Sequence, residues 1–264
     1  MSRPRIYHPA IIEVGEVCSL AEDRRHYLKS VLRMKEGDPL TLFDGCGHEY
    51  EGVIGRISPA ELEVKILKKS RLPEDKGSRI VLCQSVPKAG KMDFIVQKAT
   101  ELGIDRIVPF LSLRSVSRPA ADKAVRRVDR WQKIAMEAAR QCGRVDVPAV
   151  HEISTFTEML NLGGTAEHKI IFWEEETKIG LRQVFSSAEG PKTGSLIFAV
   201  VGPEGGFATN EIEEAREKGF RSVSLGRRVL RVETAVLAIV SIIQYETGGI
   251  GGVRETPEGR EDQS

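Results

Sequence analysis

Apolar positions recur along this chain in two rhythms, and the change falls near residue 70. Before it, strand-like runs stand close together: Ile11–Val17, Pro39–Asp44, Glu49–Ile57 and Ala60–Leu67, joined by Gly/Asp and Ser-Pro turns. Between the first two, Ser19-Leu20-Ala21-Glu22 has capping-box spacing and predicts a short helix running to Leu32. Short strands at this spacing predict a small β-barrel over residues 1–70. Residues 71–77 are charged, carry Pro73 and Gly77 and show no apolar period, as a linker would. From Arg79 the rhythm alternates between strand and helix. Strands are predicted at Ile80–Val86, Ile107–Leu111, Lys169–Trp173, Leu196–Val201 and Ser222–Leu225, and helices at Lys91–Leu102, Val128–Cys142, Asn210–Lys218 and Thr234–Tyr245. On the first of these helices Met92, Ile95, Val96, Ala99 and Leu102 share a face; on the second, Trp131, Ile134, Ala135, Ala138 and Cys142 do. Such alternation predicts an α/β domain over 78–249, a mainly parallel sheet with covering helices, followed by a flexible acidic tail at 250–264.

Composition changes this picture little. A net charge of +1 announces no polyanionic partner, but the distribution is uneven. Ser112–Arg144 holds nine basic residues against three acidic ones. This segment, Arg114, Arg118, Arg126, Arg127 and Arg144 among its arginines, is either a solvated face or a phosphate-binding surface. Cys18, Cys46, Cys83 and Cys142 have no C-x-x-C spacing and read as reduced thiols of a cytoplasmic protein. The histidines form no ligand cluster, so no metal is expected. No signal-type N-terminus and no apolar run of about 20 residues is present.

The chemistry concentrates in the last quarter. The apolar strand ending at Val201 runs into Gly202-Pro203-Glu204-Gly205-Gly206-Phe207. Glycines in such a turn let backbone groups approach a ligand, and ligands of parallel sheets bind beyond the carboxyl ends of the strands. The turn is neither a P-loop nor a dinucleotide G-x-G-x-x-G. A second segment, Leu225-Gly226-Arg227-Arg228-Val229-Leu230-Arg231-Val232-Glu233-Thr234-Ala235, leads into an almost wholly apolar helix. Cations at a helix start oppose its dipole, so Arg231 is expected to face Glu233 or an anionic ligand. Two such loops in one α/β domain suggest one small-ligand pocket.

These two segments closely resemble those of the SPOUT methyltransferases, in particular the RsmE-type enzymes. Lys91-Met92-Asp93-Phe94, Gln97-Lys98, Glu101-Leu102-Gly103, Trp131-Gln132-Lys133-Ile134, Glu137-Ala138 and Gln141-Cys142-Gly143-Arg144 extend the likeness, as do His26-Tyr27-Leu28, Val31-Leu32-Arg33 and Gly37-Asp38 in the first domain. The resemblance implies a trefoil-knotted sheet, a PUA-like RNA-binding barrel at the amino terminus and a homodimer. It implies S-adenosylmethionine (SAM) as cofactor and methylation of uridine N3 in the decoding region of 16S rRNA. Carried over by residue, the cofactor loops are the loop after Phe172-Trp173, the turn of Gly202, Pro203, Glu204, Gly205 and Gly206, and Leu225 through Ala235; Phe172, Val201, the turn itself, Leu225, Gly226, Leu230, Arg231, Glu233, Thr234 and Ala235 are the candidate contacts. Arg33, Arg114, Arg118, Arg126, Arg127 and Arg144 become candidates for RNA contact.

Uridine N3 must lose its imide proton to attack, so a base, or a cation that steadies the uridine anion, is expected. Arg231 and Arg144 are the candidate cations, and Glu137, Glu233 and Glu101 the candidate acceptors, with Glu137, Gln141 and Arg144 along one helical stripe. Glu174-Glu175-Glu176, at the expected cofactor loop, reads either as a solvated turn or as carboxylates of which one touches the positively charged donor. Two other readings stay open: a SPOUT enzyme acting on another RNA or a ribose hydroxyl, and an RNA-binding assembly factor without catalysis. The cofactor motifs oppose the latter.

Overall fold

The computed structural model describes residues 3–58, 61–71, 77–88, 90–116 and 118–252. Ala60, most of the expected linker and residues 253–264 of the expected tail lie outside the described residues. Contacts divide the chain into two compact units, Met1–Glu74 with Asp129–Ala149, and Asp75–Val128 with Val150–Ser264.

The first unit is built on β1 (Arg5–Tyr7), β2 (Val17–Ser19), α1 (Glu22–His26), β3 (Pro39–Phe43), β4 (His48–Ile57) and β5 (Leu62–Arg71). The five strands form one sheet in the order β1-β3-β4-β5-β2. Its core gathers Leu28, Leu40, Leu42, Tyr50, Ile54, Leu62, Val64 and Ile66, with the strand members at inward-facing alternate positions. Two expectations fail here. Ile11–Val17 is not a strand as a whole, since Ile11, Val14 and Val17 are exposed and Gly15 takes a positive φ of 92°. Ser19 caps no helix; it lies in β2, and its hydroxyl donates to Glu61. The helix that follows becomes a π-helical turn at Tyr27–Val31, and Arg33 lies just beyond it at φ 54°.

Asp44 organises the turn between β3 and β4. Its buried carboxylate accepts from the N–H groups of Cys46 (2.7 Å) and His48 (3.1 Å), from His48 Nδ1 (2.8 Å) and from the Tyr50 hydroxyl (3.2 Å). Burial works against its ionisation, but the Cys46 and His48 donors outweigh it and hold the carboxyl below its usual range. A depressed folded pKa stabilises the fold fully above the unfolded value, and the gain is lost as pH falls through the folded one. Asp44→Asn should therefore lower the unfolding free energy at neutral pH by about 1–3 kcal/mol. The deficit should shrink below about pH 4, where the unfolded-state carboxyl protonates. Denaturant titrations at several pH values check this; a deficit independent of pH would contradict it.

The second unit carries β6 (Arg79–Ser85), α2 (Lys91–Glu101), β7 (Arg106–Leu111), the start of α3 (Ala121–Cys142), β8 (Ala149–Val150), β9 (Ser154–Thr155), α4 (Phe156–Leu162), β10 (His168–Phe172), α5 (Leu181–Ser186), β11 (Leu196–Val201), α6 (Thr209–Glu217), β12 (Arg221–Val223) and α7 (Val232–Glu246). The strands run β12-β10-β11-β6-β7-β8, with β9 also on β7. The pairs β12/β10, β10/β11, β11/β6 and β6/β7 are all parallel, so β10, β11 and β12 end on the same side. Every residue of β11 after Leu196 is buried, the mark of a strand covered on both faces. On one side lies a core of Val81, Cys83, Val108, Phe110, Phe156, Val200, Phe207, Ile212 and Phe220.

Helix α3 begins at Ala121, ahead of the predicted start at Val128. Helices α4 and α5 were not expected. The former announces itself in Thr155-x-x-Glu158, where Thr155 N–H donates to Glu158 Oε2 (2.8 Å) and Glu158 N–H donates back to Thr155 Oγ1 (3.3 Å). Among the described residues no helix is long and apolar enough to cross a membrane, and no group of side chains is arranged to hold a metal ion.

Candidate active site

Three chain segments leave the carboxyl ends of β10, β11 and β12 side by side and enclose a cavity. It is lined by Phe172, Trp173 and Glu174 from the first, Val201, Gly202, Pro203, Gly206 and Phe207 from the second, and Ser224 through Leu230 with Val232 and Ala235 from the third. Of the expected cofactor residues, Phe172, Val201, Gly202, Pro203, Gly206, Leu225, Gly226, Leu230 and Ala235 meet there. Glu204, Gly205, Arg231, Glu233 and Thr234 flank the cavity without lining it. Glu174, Arg227, Arg228, Val229 and Val232, all within the expected cofactor loops, line it as well, and Trp173, Phe207 and Ser224, each beside one of those loops, complete it.

The glycine turn is tight for identifiable reasons. Gly206 N–H closes it onto Pro203 C=O at 3.0 Å, with Gly206 at a φ of +66°. A Cβ on Gly206 would stand 2.7 Å from Glu174 Oε1, and one on Gly202 would press on the Phe207 ring at 3.1 Å. Arg114, expected to touch RNA, donates from Nη1 to Gly205 C=O at 2.9 Å. Buried Glu211 fixes the next bend, accepting from Ala208 N–H (2.9 Å) and Leu113 N–H (2.8 Å). Gln84, wholly buried at the end of β6, donates to Gly202 C=O at 3.3 Å. The backbone of the turn is thus held from below and from the side.

The carboxylates after Trp173 divide. Glu174 faces the cavity and Glu175 is exposed, whereas Glu176 is buried rather than solvated. It accepts from Ser222 Oγ and from Arg216 Nη2 (3.2 Å), and the Ser222 hydroxyl leads the causes that hold its carboxyl below the usual range. Arg216 in turn lies over the Trp173 ring, 5.6 Å from its centroid.

Arg231 is exposed and extended (φ −62°, ψ 149°) at the N-cap of α7, and its carbonyl accepts from Ala235 N–H at 2.8 Å. In the first unit, Glu137 accepts from Arg140 Nε (2.8 Å) and Gln141 Nε2 (3.1 Å), and the Arg140 guanidinium holds its carboxyl below the usual range. An acid so held is a weak proton acceptor. Arg144 pairs with Asp146, and Arg33 is exposed. In the second unit Arg118 and Arg126 are exposed and Arg127 is half-buried.

The residues would suit a sulfonium nucleoside that carries an amino-acid moiety. Small and apolar groups form much of the wall, Gly202 and Gly206 leave little room for a Cβ, and carboxylate and guanidinium groups of both signs stand at the rim for a zwitterionic amino-acid moiety.

An RNA methyltransferase domain model matches residues 74–244, and an RNA methyltransferase PUA domain model matches residues 20–67. The ribosomal RNA small subunit methyltransferase E of Bacillus subtilis is 32% identical over 238 residues, 89% of this chain and 93% of that protein. The crystal structure of the same enzyme from Neisseria gonorrhoeae, bound to S-adenosyl methionine, superposes with a TM-score of 0.82 at 33% identity, covering 93% of this chain and 98% of that one. A Legionella pneumophila methyltransferase in complex with SAM gives a TM-score of 0.85 at 28% identity over 94% and 99% of the two chains. With the parallel sheet, the PUA domain and the three-loop cavity, these likenesses place the chain in the ribosomal RNA small subunit methyltransferase E family, the SAM-dependent RNA methyltransferases of the SPOUT fold.

Proposed function

We propose that this chain methylates N3 of a uridine in the decoding region of 16S rRNA, using SAM held by the loops after β10, β11 and β12. The observation that carries the reading is the cavity where Gly202, Gly206 and Gly226 meet, built for a ligand that must approach backbone closely. Phe172, Val201, Gly202, Pro203, Gly206, Leu225, Gly226, Leu230 and Ala235 would hold the cofactor, with Glu204, Gly205, Arg231, Glu233 and Thr234 supporting them. When bound, SAM supplies an electrophilic methyl whose sulfonium charge disperses as the methyl leaves. The protein's task is then in-line positioning and stabilisation of the deprotonated base.

Arg231, exposed at the mouth of α7, is the residue assigned to the O2 or O4 charge of the uridine anion, with Arg144 as a second cation; Glu137, tied to Arg140, is too weak a base to be the assigned acceptor. Arg33, Arg114, Arg118, Arg126, Arg127 and Arg144 would contact phosphates. Exposed Phe94, Ile242 and Tyr245 on α2 and α7, which pack together, support a homodimer. The absence of a bilayer-length helix among the described residues and the rRNA substrate both suit the cytoplasm.

Incubation of the protein with isotopically labelled SAM and unmodified small subunits, followed by nucleoside mass spectrometry, tests this directly. Label in 3-methyluridine is expected. Label in another nucleoside would overturn the acceptor atom; absence of both label and SAM binding would overturn the enzyme. Arg231→Ala should reduce turnover by about 100-fold or more, the usual cost of removing one donor to a developing oxyanion. Near-normal turnover in single-turnover assays would remove Arg231 from catalysis.

A further inference from the structure

Two carboxylates expected to touch the cofactor are turned to another task. Glu204 of the glycine turn does not line the cavity; its Oε1 lies 2.9 Å from Lys91 Nζ, and both of its oxygens accept from Lys88 N–H at 3.2 and 3.3 Å. Glu233, in the first turn of α7, places Oε2 3.4 Å from the same ammonium. Each acidic side chain is about a quarter exposed (24% and 23%), so the cluster is only partly screened by solvent. Burial works against ionisation of Glu204, yet the Lys91 ammonium and Lys88 N–H hold its carboxyl below the usual range. Lys91 is also the first residue of α2, where a cation opposes the helix dipole. A positive charge at that position is therefore explained by what it contacts, not by the helix it begins.

We propose that Lys91 is a positioning residue, a clamp that joins the amino end of α2 to the glycine turn through Glu204 and to the start of α7 through Glu233. The turn and the α7 entrance are two of the three walls of the cavity, and nothing in their local sequence joins them. Remove the ammonium and two neighbouring carboxylates are left facing one another; they repel, and the walls part. The clamp deepens the SAM-pocket reading and rests on it.

Calorimetric titration of SAM into the full chain, with steady-state kinetics, separates the possibilities. Lys91→Met should weaken SAM binding on the order of tenfold, as loss of a partly buried ion-pair network does. It should raise KM for SAM while leaving kcat at saturating SAM within about twofold, the signature of lost binding without lost transition-state contact. Lys91→Arg should recover most of the affinity. Glu204→Gln should weaken binding as well, and the double variant Lys91→Met/Glu204→Gln should bind no more weakly than the poorer single variant, because both remove one clamp. If Glu204 instead touches SAM directly, the two losses multiply and the clamp is overturned. Wild-type affinity in Lys91→Met overturns the clamp and leaves the pocket standing. Failure of the unaltered chain to bind SAM overturns the pocket, and the clamp with it.

Discussion

Gly206→Val is expected to abolish useful SAM binding while leaving the chain folded. At φ +66° the Gly206 backbone sits in the left-handed region, which β-branched residues occupy least readily of all. Even a methyl group would stand 2.7 Å from Glu174 Oε1. That oxygen ends a flexible, exposed side chain, so the clash alone is cheaply relieved by swinging Glu174 aside. The lasting damage lies elsewhere: Glu174 and Gly206 both line the cavity, so relief moves one wall while the valine methyls occupy the space beside another. The backbone cannot follow, since Gly206 N–H is bonded to Pro203 and Gly205 C=O to Arg114. An affinity loss of at least about 30-fold is expected, near 2 kcal/mol, with circular dichroism unchanged. Gly206→Ala should fall between. Calorimetry that finds the valine variant binding SAM as the unaltered chain does would contradict the placement of this turn against the cofactor.

What could be read in the sequence was local. Ser195–Val201 is an unbroken apolar run after its first residue, and the strand it forms, Leu196–Val201, ends at the predicted residue. The glycine turn is equally local, because conformational demand and ligand approach fall on the same few residues. What escaped was set across the fold. The first turns of α3 carry no apolar stripe, with Val125 exposed and no residue buried before Trp131, so periodicity gave no sign of them. Ser19 has capping-box spacing to Glu22, but its hydroxyl is taken by Glu61, 42 residues away. Glu176 reads as one more charge in a solvated run, yet Ser222 and Arg216 draw it inward from 46 and 40 residues on. The same holds at the site: Glu204 and Glu233 sit in motifs that imply cofactor contact, and only the folded chain shows the ammonium of Lys91 between them.

Phe207→Ala should produce the largest loss of stability in the second unit. The ring is 2% exposed and packs in a three-ring cluster, stacked on Phe110 at 6.4 Å with planes 2° apart and tilted against Phe156 at 5.8 Å. Truncating a buried phenylalanine removes its transfer free energy and leaves a void that packed neighbours fill only in part, about 3–5 kcal/mol in all. The ring has a second task. Gly202 lacks a Cβ at the point where one would meet this ring at 3.1 Å, so aromatic face and glycine turn are fitted to each other. Phe207→Leu separates the two contributions: leucine refills much of the volume and should recover more than half of the lost stability. It offers no flat face beneath Gly202, so SAM affinity should stay reduced. Unfolding can be followed in this unit alone by Trp173 fluorescence in a Trp131→Phe background. A shift worth less than about 1 kcal/mol for Phe207→Ala, close to the ordinary range of surface substitutions, would show that the turn is held by its hydrogen bonds and not by the aromatic cluster beneath it.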